Sequence, residues 1–196
     1  MKAPSIFQAL EPVIQAFTNL EIRYQIGGSV ASSAYGIARA TLDVDLVADL
    51  QEFHIDPLVH ALRNAYYLDE DRIRDAVARR SSFNVIHLES MIKVDVFVLK
   101  SRPYDRTAFS RSRLEQLGDA EAEHPHYLAS PEDVVLNKLD CYRQGGSVSD
   151  RQWNDVLGIL KVQQHLLDFE YLRQWAEVLG LSDLLRRALQ DSGLTS

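Results

Sequence analysis

Apolar residues at Ile6, Phe7, Leu10, Val13, Ile14 and Phe17 recur at helical spacing, so roughly the first twenty residues read as an amphipathic helix. A short strand follows at Arg23–Ile26, then Gly27-Gly28, then a helix over Ser29–Tyr35 with Gly36 near its end. Asp43–Val47 alternates acid and apolar residues, which is a strand whose two faces have different uses. Asp56-Pro57 opens a helix that carries Leu58, Val59 and Leu62 into a core, and Asp71–Arg80 is a charged helix or loop. Phe83–Leu88 and Lys93–Leu99 are strands joined by the Glu89-Ser90-Met91 link, hence a hairpin in a mixed sheet.

The pattern changes near Ser130. Ser130-Pro131-Glu132-Asp133 combines a capping hydroxyl, a first-turn proline and early acids, the signature of a helix start. Gly145-Gly146 stops that helix, and Ser149 or Asp150 starts the next. Helical spacing then continues through Val156, Ile159 and Leu160, through Leu172, Trp175, Val178 and Leu179, and on to Leu184, Leu185 and Leu189. The expectation is an α/β (α+β) chain with two domains, a mixed-sheet domain over 1–128 and a helical bundle over 129–196.

The 196 residues are 46% hydrophobic, enough for a real core. No apolar run approaches the ~18 residues of a membrane span. The N-terminal stretch, broken by Pro4, Glu11 and Pro12, reads as a helix and not as a signal peptide. The single cysteine, Cys141, excludes an intramolecular disulfide and fits a reducing cytoplasm. Its default reading is a small buried residue. A net charge of −7 argues against a broad basic coat for nucleic acid. Arg102, Arg106, Arg111 and Arg113 read as a solvated arginine-rich loop and helix in preference to an RNA contact.

Chemistry concentrates between Tyr24 and Ala48. Glycines between a strand and a helix let the backbone approach a phosphate, and the helix N-terminus supplies unpaired N–H donors. Ser29 adds a hydroxyl for a phosphate oxygen or for a cap. Asp43 and Asp45, two apart on a strand, point to one face, where their repulsion calls for a neutralising hard cation. Asp95 interrupts an otherwise core-type strand, Ile92–Val98, and a charge there needs a partner. If the two strands are neighbours, three carboxylates converge on Mg²⁺ or Mn²⁺. Elsewhere, Glu121, Glu123, His124 and His126 have metal-like composition but read as a polar edge segment, and Trp153 and Trp175 read as core.

The run GGSVA, then RATLDVDL, then an apolar strand bearing a third Asp resembles the nucleotidyltransferase superfamily of the DNA polymerase β type. It is similar to CCA-adding enzymes and to the AbiEii/AbiGii-type toxin nucleotidyltransferases, over roughly residues 20–100. Lys138 in a helix, followed by Arg151-Gln-Trp-Asn-Asp155, resembles a second motif of the AbiEii-like group. The resemblance implies that Gly27, Gly28 and Ser29 hold triphosphate oxygens and that Asp43, Asp45 and Asp95 hold the metals. Asp95 would also help deprotonate the acceptor, and Lys138 would place charge on the pyrophosphate, base or ribose. Asp155 would orient Lys138 or Arg151, while Arg39 and Thr41 would position the strand or a phosphate.

The function this implies is transfer of a nucleotide monophosphate from a triphosphate such as ATP to a hydroxyl. Candidate acceptors are an RNA 3′ end (tRNA, for example), a protein side chain or a small molecule. One alternative is a toxin–antitoxin or regulatory component acting through a partner such as a cognate antitoxin. Another is a metal-dependent glycosyltransferase using Asp43-Val-Asp45. In-line attack at phosphorus asks chiefly for metal ions on the attacking and leaving oxygens, which is why the carboxylates dominate the reading.

Overall fold

A computed structural model describes residues 6–41, 43–117 and 124–194. In chain order the elements are α1 (Ile6–Asn19), β1 (Tyr24–Ile26), α2 (Gly28–Tyr35), β2 (Asp43–Ala48) and α3 (Ile55–Leu62). Then come β3 (Tyr66–Tyr67), α4 (Glu70–Arg79), β4 (Ser82–His87), β5 (Lys93–Val98), α5 (Pro103–Ser110), β6 (Arg113–Glu115) and β7 (His126–Leu128). The chain continues with α6 (Pro131–Gln144), α7 (Asp150–Gln163), α8 (Phe169–Leu179) and α9 (Ser182–Asp191). This is the α+β class with a mixed sheet and a helical C-terminal region that the periodicity predicts. The chain forms two compact units, one of residues up to Gly27 with Ala40–Ser110, the other of Gly28–Arg39 with Arg111 onward.

In the first unit five strands lie in the order β3-β4-β5-β2-β1, with β2 and β5 parallel and the other pairs antiparallel. Successive side chains alternate between faces. Val44, Leu46 and Ala48 of β2, Val94, Val96 and Val98 of β5, and Phe83 and Val85 of β4 are all buried on one face. Helix α1 packs against β2, β5 and α3, and α4 packs against β4. The buried stripe Leu10, Val13, Ile14 and Phe17 is the face α1 contributes. Tyr66 adds a buried hydroxyl that donates to the Ala9 carbonyl at 2.7 Å, tying β3 to α1. The other sheet face holds Asp43, Asp45 and Val47, Lys93, Asp95 and Phe97, and Ser82, Asn84 and Ile86.

In the second unit α6 and α7 pack against one another and α2 packs on both. The close approach of α2 and α7 is made by glycines. A Cβ on Gly36 would lie 3.0 Å from the Ile159 nitrogen and 3.1 Å from the Gly158 carbonyl carbon. The starts of α6 and α7 are hydrogen-bonded as the sequence signals suggest: Ser130 and Ser149 accept from the backbone N–H three residues on, and Asp168 does the same for α8. The acids after Ser130 do more than cap. Glu132 and Asp133 are fully buried, Glu132 accepting from Arg111, Arg113 and the Asp168 N–H. Asp133 accepts from the Ser130 and Tyr171 hydroxyls at 2.6 and 2.8 Å. Burial pushes the Asp133 carboxyl above its usual range, although those hydroxyls and Arg111 pull the other way.

Candidate functional site

The parallel register of β2 and β5 sets Asp45 opposite Asp95 and Asp43 opposite Lys93. Across β4, Asp95 faces Asn84. Directly paired residues project to the same face, so the three carboxylates share it, as the sequence predicts if the strands are neighbours. Asp43 is exposed, while Asp45 and Asp95 are half-buried. The start of β2 is fixed by Thr41, whose hydroxyl accepts from the Asp43 N–H at 3.4 Å and donates to its carbonyl at 3.2 Å. Gly27 donates its N–H to the Asp45 carbonyl at 2.8 Å, and a Cβ there would meet nothing within 4 Å.

Among the described residues a cation, Lys93, stands beside these acids. Lys93 Nζ lies 2.7 Å from Asp95 Oδ2. The hydrogen bond to Asp95 raises the lysine pKa, partial burial opposes it, and the charges of Asp95, Asp43 and Asp45 reinforce the rise. Among the described residues no three His, Cys, Asp or Glu side chains are gathered as a ready ligand set for a metal ion. The donor chemistry nonetheless fits a hard divalent cation: two carboxylates in register on adjacent strands, and a third two residues away on the same face.

The second unit holds a different polar constellation. Gly28 opens α2 at φ +53°, a left-handed conformation that favours glycine. Ser29 Oγ accepts from Arg39 Nη2 at 2.6 Å. Arg39 also forks onto Asp155, Nε to Oδ1 at 3.0 Å and Nη2 to Oδ2 at 2.9 Å. Lys138 Nζ donates to Asp155 Oδ2 at 2.6 Å. The packing of α7 on α6 thus brings Lys138 and Asp155 together. Burial alone would raise the Asp155 pKa, but the hydrogen bonds and charges of Arg39 and Lys138 outweigh it and hold the carboxyl below its usual range. Arg39 is likewise driven up, first by its hydrogen bond to Asp155.

Several expectations need correction. Lys138, expected to place charge on a substrate, has a side chain only 6% exposed because Asp155 neutralises it inside the unit. Asp155 takes Lys138 and Arg39, not Arg151, which is exposed. Cys141 is exposed where the default was burial, since it falls on the outer face of α6. Trp153 is core as predicted, its ring 5.0 Å from that of Tyr142 and tilted to it by 37°, while Trp175 is only half-buried. The arginine run is solvated only in part. Arg102 forks onto Asp105, whereas Arg111 and Arg113 turn to the buried Glu132. His124 is exposed and His126 buried, while Glu121 and Glu123 lie outside the described residues. Sequence reasoning passed over Lys93 and Asn84, whose only signal is their place on the Asp95 face of two adjoining strands.

The fold is that of the nucleotidyltransferases. It matches the antibiotic-resistance factor ANT(2″)-Ia at a TM-score of 0.53 and 14% identity over 94% of this chain and 94% of that one. The same factor in complex with adenylyl-2″-tobramycin matches at 0.55 and 11% identity, covering 88% of this chain and 95% of that one. An antigenic nucleotidyltransferase-like protein from Paracoccidioides brasiliensis matches at 0.50 and 16% identity, covering 94% and 92%. At such identities the likeness is one of fold. No protein-family profile and no curated protein sequence matches the chain.

Proposed function

We propose that this chain is a metal-dependent nucleotidyltransferase that moves a nucleotide monophosphate from a nucleoside triphosphate to a hydroxyl of a small molecule. The observation that carries the reading is the register of Asp45 with Asp95, with Asp43 on the same face, in a nucleotidyltransferase fold. Asp43, Asp45 and Asp95 would hold Mg²⁺ or Mn²⁺. When bound, the cation would supply Lewis-acid polarisation of the phosphate undergoing attack. Asp95, half-buried beside Lys93, is the carboxylate assigned to accept the acceptor hydroxyl's proton.

Gly28 and Ser29 are the residues assigned to triphosphate oxygens. The positive φ of Gly28 keeps a side chain off that backbone, and Arg39 fixes the Ser29 hydroxyl. Lys138 and Asp155 act as positioning residues, since each is nearly buried and satisfied by the other. That pairing also supports the finer kinship with the AbiEii/AbiGii-type group, because the two residues quoted for it are partners. A small-molecule acceptor is favoured over RNA by the net charge of −7 and by the commitment of Arg102, Arg111 and Arg113 to acids of the chain itself. ANT(2″)-Ia, bound to adenylyl-2″-tobramycin, provides the analogy for such an acceptor.

The reading is tested with each α-³²P-labelled nucleoside triphosphate, Mg²⁺, and a panel of polyhydroxylated small molecules alongside total RNA. Label in the small-molecule fraction supports it. Label only in RNA or protein moves the acceptor to that class, and none in any fraction contradicts the activity.

A further inference from the structure

Lys93 belongs to no motif read from the sequence, yet it is set among the acids of β2 and β5. It pairs in register with Asp43, reaches Asp95 Oδ2 at 2.7 Å, and lies two residues along the same face from the Asp45–Asp95 pair. Three carboxylates on one face repel one another, and a strand pair that carries them needs positive charge whether or not a metal is bound. An ammonium and a divalent cation on the same carboxylate oxygen repel each other, so occupation of Asp95 by one disfavours the other.

We infer that Lys93 is a built-in counter-ion that competes with the catalytic divalent cation for Asp95 and is released when the cation binds. The inference rests on the proposed metal-dependent reading. Before metal arrives, Lys93 relieves the repulsion and keeps the β2–β5 pair intact. After displacement it remains tethered to the same face, a mobile point charge suited to a phosphate oxygen. Its side chain is 41% exposed, so it has room to leave without unpacking the core. Metal binding and lysine release are therefore linked, and any change that weakens the lysine's hold on Asp95 tightens the metal.

The test is Mn²⁺ binding, followed by calorimetry and by the loss of free-ion paramagnetic resonance signal. The proteins are the wild type, Lys93→Met, Lys93→Gln and Lys93→Arg. The inference predicts that both neutral variants bind Mn²⁺ roughly tenfold more tightly, the size of one partly screened charge–charge interaction. Lys93→Arg should stay near the wild type. In chelator the neutral variants should melt below the wild type, and added Mn²⁺ should raise their melting temperature by more. Equal or weaker Mn²⁺ affinity in folded Lys93→Met and Lys93→Gln overturns the inference and leaves the metal site standing. Absence of binding in all four proteins overturns the inference and the metal reading together.

Discussion

At the residue scale the most consequential group is Asp155, one carboxylate serving two cations inside the second unit. Its loss leaves the buried Lys138 and the half-buried Arg39 without their anion, and breaking such a buried pair costs about 3–5 kcal/mol. Asp155→Asn is therefore predicted to destabilise the protein by that order, measured by urea unfolding at pH 7. Because the folded-state pKa is depressed, the unfolded chain takes up the proton first as pH falls. The stability contributed by Asp155 is thus complete above about pH 4, the ordinary carboxylate value, and is lost on acidification below it. The gap between wild type and Asp155→Asn should be level from pH 7 to about pH 4 and narrow below that. A gap unchanged at pH 2–3 would contradict the assignment. The acids of the candidate site were legible in sequence because period-two alternation fixes which side chains share a face. Lys93 was not: a lysine at a strand start reads as ordinary solubility until the register shows which carboxylate it meets.

At the element scale the long, strongly periodic segments and the short strand β1 were legible, and the strands β3, β6 and β7 were not. Helix α1, the β4–β5 hairpin and the capped helices α6 and α7 lie where apolar spacing and capping residues place them. Strand β3 has two residues and β6 and β7 three each, too few to show a period, and all three owe their assignment to pairing partners. The acids following Ser130 were read as helix-dipole partners, which they are. That they are also buried could not be read, because Arg111, Arg113 and Tyr171 come from distant positions in the chain. The α2–α7 packing gives a second prediction. A methyl group at Gly36 would press on the backbone of Gly158 and Ile159, which cannot rotate away. Gly36→Ala should cost about 1–3 kcal/mol, the range for overpacking. Thermal unfolding of the variant checks this, and an unchanged midpoint would show that the two helices part freely.

At the scale of the whole molecule, the fold class and the mixed sheet followed from the order of patterns along the chain. The grouping of residues 28–39 with the C-terminal helices did not, because it rests on packing between segments more than a hundred residues apart. Among the described residues no helix is long and apolar enough to cross a membrane. On the reading proposed above, the Asp43–Asp45–Asp95 face is the catalytic metal site of a nucleotidyltransferase. Its most direct test is Mg²⁺-dependent transfer of label from an α-labelled triphosphate, comparing the wild type with Asp45→Asn. Asp45→Asn removes one of three mutually repelling charges, so its melting temperature in chelator should equal or exceed that of the wild type. Transfer should fall by roughly two to three orders of magnitude, the scale seen when a preorganised electrostatic group is removed from an active site. Transfer at the wild-type rate by folded Asp45→Asn would show that this face is not the catalytic metal site.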